Sequence, residues 1–279
     1  MPQDDAILRE TRWTSWVVVA VLLPALVVLW GFPGETADLW AWTIKPHLTP
    51  IFMGSGYGAG AYFFARAAFG RRWHEVSAGV LSAAFFAAIM LVVTLIHWDK
   101  FNHGDAPFWA AFAFYGWVGV YIASPVVVSW LWLRNNRTDP HRPEPADALV
   151  GPGVRRAAKL ISAVLGATAL VLLIRPSIAV EHGPWTLTPL TTRVIAAFTA
   201  QVAFGGLLVS LDERWSSWRV LLQTFLVATA LLLVGVIRAW GDLETGRVSA
   251  WIFLGGLAAL AVAILWLYRK MEKAGTPMT

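Results

Sequence analysis

Cysteine is absent from the 279 residues, so disulfides, thiolate metal centres and iron–sulfur clusters are excluded, while the compartment stays open. Charge is scarce: 14% of residues are Asp, Glu, Lys or Arg, against 57% hydrophobic ones. Neither a Gly-x-Gly-x-x-Gly turn or phosphate loop in a strand-to-helix setting nor a His-Glu-x-x-His pair occurs. The usual nucleotide, dinucleotide and zinc-peptidase chemistries therefore have no signature here. The long apolar runs carry no Asp, Glu, Lys or His at their centres. Proton pumps, cation exchangers and retinal proteins place such groups at mid-depth despite their cost in lipid, and that absence counts against all three.

What remains is apolar and aromatic. Mean hydropathy is +0.59, and 17 tryptophans are present. A spanning helix needs about 20 mostly apolar residues. Eight runs meet or approach that length: 13–31, 46–65, 76–96, 106–133, 160–174, 194–211, 220–237 and 248–268. The fifth is short and reaches full length only if Arg156, Lys159 and Arg175 snorkel at its ends. The first has a basic flank and the length of a signal peptide, but no small-residue cleavage site follows, so it reads as a retained span.

Loop charge orients the chain. With the amino terminus inside, six Lys and Arg lie outside (Lys45, Lys100, Arg175, Arg193, Arg238, Arg247) and sixteen inside. That bias places both termini in the cytoplasm of a bacterial inner-membrane protein. It also accounts for the net charge of +5, since basic residues that cluster at span ends are topology signals and nucleic acid is not an expected partner.

Shifted by 143 positions, the first half reads as the second. Pro33 falls on Pro176, Trp42 on Trp185, Thr43 on Thr186, Pro46 on Pro189, Thr49 on Thr192 and Arg71 on Arg214. A shift of 142 brings Trp73 onto Trp215 and Trp98 onto Trp240, and Asp99 then meets Asp242. A single slip over so long a stretch is the mark of tandem duplication. The expected fold is an all-α polytopic membrane protein, eight transmembrane helices in two parallel four-helix repeats. Residues 1–12 form a cytoplasmic segment, 13–133 the first repeat, 134–155 a Pro-, Gly- and charge-rich linker, 156–270 the second repeat and 271–279 a tail.

Polar chemistry gathers in the outer loops. The segment from His97 to Asp105 carries His97, Asp99, His103 and Asp105 within nine residues, and His47 could approach from the preceding outer loop. Imidazole and carboxylate suit a divalent metal such as zinc; haem is a further possibility, although no second mid-helix His offers an opposite axial ligand. The plain alternative is a wet loop in which such residues need no special reason. Thr49 and Thr192 read as N-caps of their helices, with anion binding at those helix starts as the functional alternative. Trp98 and Trp240 read as interfacial belt residues. Within the spans, Gly54, Gly56, Gly58 and Gly60 allow close helix approach. Gln201, opposite Gly58 in the repeat, needs a partner such as Gln223. Gln201, Gly58, Tyr57, Trp42 and Trp185 are the candidate lining of a central cavity, and Pro24 and Pro125 should bend their helices.

The Trp185-to-Arg193 segment, the turn from Ile96 to Phe101 and the eight-helix layout resemble multi-pass bacterial membrane proteins to which no activity is attached. The resemblance implies the architecture and no reaction. The leading expectation is a non-enzymatic membrane protein whose outer surface binds a small molecule, lipid or partner subunit. A metal-dependent or haem-binding protein using the outer His/Asp cluster, a permease for an apolar or neutral solute, and a structural subunit of a respiratory or photosynthetic complex stand beside it.

Overall fold

Each apolar run folds as a helix. The computed structural model describes residues 4–143 and 147–274; residues 144–146 of the expected linker, and 1–3 and 275–279 of the expected terminal segments, lie outside the described residues. The helices are α1 (Arg9–Leu26), α2 (Thr36–Leu39), α3 (Leu48–Phe69), α4 (His74–Ile96), α5 (Phe108–Asn135), α6 (Pro152–Ile174), α7 (Ser177–His182), α8 (Pro189–Leu211), α9 (Trp215–Arg238) and α10 (Val248–Ala274). Three isolated β-bridges are the only strand-like pairings among the described residues.

Local chemistry sets the helix ends. Pro152 occupies the start of α6, where its missing N–H costs no hydrogen bond, and the helix therefore takes in Arg155, Arg156 and Lys159. At α8 the cap is Thr188, which accepts from the Thr191 backbone N–H at 3.2 Å, while Thr191 Oγ1 accepts from the Thr188 N–H at 2.9 Å. This reciprocal box corrects the expectation for Thr192, which lies inside the helix. Thr49 likewise lies inside α3, whose start is capped from far away: the Leu48 N–H donates to Asp242 Oδ2 at 2.8 Å. Past Pro24, α1 widens into a π turn over Val27–Gly31, and Arg238 donates to the freed carbonyls of Trp30 and Gly31.

Among the described residues seven helices are long and apolar enough to cross a membrane: α1 with its π turn, α4, α5, α6, α8, α9 and α10. The 22-residue α3 is not among them. Its four glycines, Ser55, Tyr57 and Tyr62 dilute its apolar character, and it is mostly buried between α1 and α9. A Cβ at Gly54 would sit 2.9 Å from the Trp30 backbone nitrogen, so glycine is what lets α1 cross so close.

The packing has an internal correspondence. α1 lies on α3 as α6 lies on α8; α3 packs on α9 as α8 packs on α4; α5 flanks α4 as α10 flanks α9; and α4 and α9 touch each other. The chain start, the α3–α4 and α8–α9 loops, the end of α5 and the end of α10 share one end of the bundle, here the terminal face. The outward sides of α6 and α10, with Leu160, Val164, Val262 and Trp266, are exposed and apolar, as surfaces in contact with hydrocarbon are.

Candidate functional site

The richest polar structure is at the terminal face. The chain before α1 runs antiparallel to the α3–α4 loop, bridging Ala6 to Arg72, and the chain before α6 does the same at the α8–α9 loop, bridging Leu149 to Arg214. The Trp73 N–H donates to Asp5 O at 2.7 Å and the Trp215 N–H to Ala148 O at 2.9 Å. Asp5 Oδ1 then accepts the His74 backbone N–H at 3.1 Å, and Asp147 Oδ1 accepts that of Ser216 at 3.2 Å. Each carboxylate uses its second oxygen on the side chain of the same residue, Asp5 on His74 Nδ1 and Asp147 on Ser216 Oγ. The two clasps meet where His74 Nε2 lies 2.7 Å from Ser216 Oγ. His74 and Asp5 are 5% and 7% exposed. Asp5 adopts φ +57°, a left-handed conformation that Asp tolerates better than most residues. Asn135, fully buried at the end of α5, fixes the arm through Leu8, Thr11 and Ala6.

Beside this seam Arg214 makes two parallel bonds to Asp139, at 2.8 and 3.0 Å, and further bonds to Asp212, the shortest 2.7 Å. Burial alone would raise both carboxyls, but hydrogen bonds from Arg214 hold each below the usual carboxylate range. Burial opposes the guanidinium charge as well, and the bonds to Asp139 and Asp212 outweigh it, holding the group above its ordinary value. The expected linker is thus ordered in part, with Asp139 and Val150 buried.

Between these groups opens a cleft of about 480 Å³, lined from one half by His74, Ser77, Trp132, Asn136 and Asp139 and from the other by Arg155, Asp212, Glu213, Arg214 and Ser217. That volume suits a small ligand. One guanidinium faces two carboxylates, and Arg155 pairs with Glu213 at 3.5 Å, so these five side chains together carry one excess negative charge; His141 also lines the cleft, with Nδ1 3.4 Å from Asp139 Oδ2.

Asp5, His74 and Ser216 stand in the order of a nucleophilic triad. The Ser216 hydroxyl also contacts Asp147, which competes for its hydrogen, and its backbone N–H is spent on the same carboxylate. Neither an activated hydroxyl nor a free donor for an oxyanion results.

At the opposite face the expected metal residues do not converge. Among the described residues no three His, Asp or Glu side chains are placed to hold an ion. His97 ends α4 and its Nε2 receives Arg193 Nη1 at 2.9 Å; burial and that guanidinium lower its pKa. The same contact occupies the nitrogen a haem iron would need. Asp99 is exposed and paired with Lys100 at 2.8 Å. His103 stacks near Trp98 with 6.1 Å between ring centroids, Asp105 is exposed in the loop, and His47 precedes α3.

The cavity residues also separate. Tyr57 and Trp42 share an aromatic cluster with Trp40, Phe101, Trp117 and Phe198, and Tyr57 bonds Tyr121 hydroxyl to hydroxyl at 2.9 Å. Trp185 packs elsewhere, against Phe52 and Phe253, and donates to Thr49 Oγ1 at 2.8 Å. Gly58 faces Leu26 and Leu231 rather than open space. The partner expected for Gln201 is committed elsewhere: Gln223 accepts from Tyr62 at 3.0 Å and from Arg66, and donates to Tyr268 at 2.8 Å. The terminal-face residues escaped the sequence reading although a signal existed: at the shift of 142 that aligns Trp73 with Trp215, Asp5 falls on Asp147 and His74 on Ser216.

Compared with known protein families, curated proteins and solved structures, the chain matches none.

Proposed function

We propose that the chain is a bacterial inner-membrane protein in which all eight long helices span, arranged as two tandem four-helix repeats about an axis along the membrane normal, with the terminal face cytoplasmic. The 143-residue sequence correspondence and the matched β-bridges at Ala6/Arg72 and Leu149/Arg214 support the repeat. The excess of Lys and Arg at the terminal face supports the orientation.

Its function in this reading is to bind a small solute carrying a positive charge, an amine or guanidine, in the cleft between the halves. The observation that carries it is the cleft of about 480 Å³ in which three carboxylates, Asp139, Asp212 and Glu213, face two guanidinium groups, Arg214 and Arg155. Calorimetric titration of the detergent-purified protein with putrescine, against succinate as the anionic control, tests it. Putrescine should bind, and Asp212→Asn should weaken binding about tenfold, a loss of about 1.4 kcal/mol. Equal affinity for the two probes, or no heat from either, would overturn the proposal. A permease reading draws on the same seam, since two-repeat carriers move solutes at the interface of their halves; uptake of the amine into proteoliposomes separates carrying from binding. Membrane lipids remain partners through the apolar flanks, and other membrane subunits are possible ones.

A further inference from the structure

We infer that the outward side of α10 holds an anionic phospholipid at the terminal face, with its chains along the apolar part of a groove and its phosphodiester among three cations. α10 carries two stripes. Ile264, Tyr268, Met271 and Glu272 turn inward. Ile264 and Met271 are buried, and Tyr268 accepts from Gln223 and packs its ring on Trp215. Glu272 accepts from Trp215 Nε1 and Arg219 Nε, both at 2.9 Å. On the other side Val262, Leu265, Trp266, Arg269, Lys270 and Lys273 line an open groove of about 530 Å³. These positions recur at three- and four-residue intervals, so they form one continuous stripe.

The stripe is divided along its length. Val262, Leu265 and Trp266 are exposed and apolar. Arg269, Lys270 and Lys273 follow toward the terminal face, within about 10 Å of helix rise from Trp266. There hydrocarbon gives way to headgroups, the depth at which lysine and arginine snorkel and tryptophan is enriched. Lys270 Nζ lies 5.0 Å from the centroid of the Trp266 ring, a cation–π contact that seats the ammonium at that boundary.

Positive charge at span ends is common in itself. What sets this group apart is the missing counter-charge. The end of α5 uses the same device four residues apart, with Arg134 over the Trp130 ring at 4.9 Å, and there Glu10 from α1 meets the guanidinium at 3.1 Å. Arg155 has Glu213, Arg219 has Glu272 and Arg214 has two carboxylates. Among the described residues Arg269, Lys270 and Lys273 form no ion pair, and the one acid of α10, Glu272, is turned to α9. An anion that brings its own hydrocarbon completes both parts of the stripe. A phosphodiester offers acceptors that arginine binds as a fork and lysine as a point charge, and acyl chains cover the apolar part. A soluble phosphate would meet the cations alone. The inference rests on α10 lying in the membrane and is independent of the solute proposed for the cleft.

Native mass spectrometry of the delipidated protein in detergent, titrated with phosphatidylglycerol or with phosphatidylcholine of the same chains, tests it. Phosphatidylglycerol should half-saturate its first site at about a tenfold lower concentration than phosphatidylcholine, a difference of about 1.4 kcal/mol. Arg269→Gln/Lys270→Gln/Lys273→Gln should bring the two lipids to parity; all three side chains are exposed, so the change strands no buried group. Arg9→Gln/Arg137→Gln/Arg142→Gln removes as much charge from exposed residues elsewhere at the terminal face and should keep the preference. Glycerol phosphate, which has the headgroup anion without the chains, should not displace the lipid. Equal affinity for the two lipids in the native chain, a preference that survives the α10 variant, or the same loss in both triple variants would overturn the inference. So would displacement by glycerol phosphate at equal concentration.

Discussion

At the scale of single residues the most consequential side chain is Arg214, with a side chain 6% exposed between two carboxylates. Removing one partner of a buried ion pair leaves charge without compensation, a loss of about 3–5 kcal/mol. Arg214→Ala should therefore melt far below the native protein in detergent, while Arg155→Ala, which loses a half-exposed ion pair to Glu213 and bonds to the Ser210 and Leu211 carbonyls, should cost distinctly less. The same geometry sets an acid limit. Asp139 and Asp212 are held below the ordinary value of about 3.9, so their contribution is complete above it and lost only as pH falls through their lowered native values. A melting curve taken against pH should slope downward in that acid window and flatten in Arg214→Ala. Sequence could not show this arrangement. Asp139 lies in a Pro- and charge-rich stretch that reads as solvated linker, and only tertiary structure brings it to Arg214, 75 positions on.

At the scale of elements, the two outer loops treat the helices they face differently. Trp185 and Asp242 both hold the start of α3, through Thr49 Oγ1 and the Leu48 N–H. The corresponding groups at a shift of 143 are Trp42, Asp99, Thr192 and Thr191, and they do not pair in that way. Trp42 Nε1 and Thr192 Oγ1 are buried without a hydrogen-bond partner, and Asp99 turns to Lys100. Trp185→Phe thus loses a bond and strands a buried hydroxyl, costing about 1–3 kcal/mol; Trp42→Phe loses no protein hydrogen bond and should cost distinctly less in the same thermal denaturation. The correspondence of the two tryptophans was legible in the sequence, because large aromatics in equivalent positions stand out at any offset. The caps were not. Thr49 and Thr192 are good cap residues at the right distance from Pro46 and Pro189, yet the helices begin ahead of both, since Asp242 and Thr188 supply the acceptors.

For the whole molecule the apolar runs made plain the seven helices, among the described residues, that are long and apolar enough to cross a membrane, because length and hydropathy alone decide that. α3 is the exception: a helix enclosed by its neighbours needs small residues more than apolar ones, which weakens the signal a span leaves in sequence. The chain's freedom from cysteine makes the crossing testable with single introduced thiols. Lys45→Cys and Arg71→Cys flank α3, and in intact cells an impermeant maleimide should label the first and spare the second. Labelling of both from one side would leave α3 uncrossed and sink the eight-span arrangement, whereas reversed labelling would invert the protein. The residues of the candidate metal cluster stand apart for a reason of scale as well: nine residues of loop keep His97, Asp99, His103 and Asp105 near in sequence, but among the described residues their side chains are not turned toward a common point.

The arm at residues 5–8 and the stretch at 147–150 do the same work for the halves that follow them, each lying along a loop of its own half and anchoring the start of a central helix. Each half therefore carries its own fastening at its own beginning. Across the linker the parts of the chain before and after it are joined directly as well, at Arg214–Asp139 and His74–Ser216. Cohesion between the two parts of the chain therefore does not depend on the peptide linkage alone: side chains far apart in sequence carry it too.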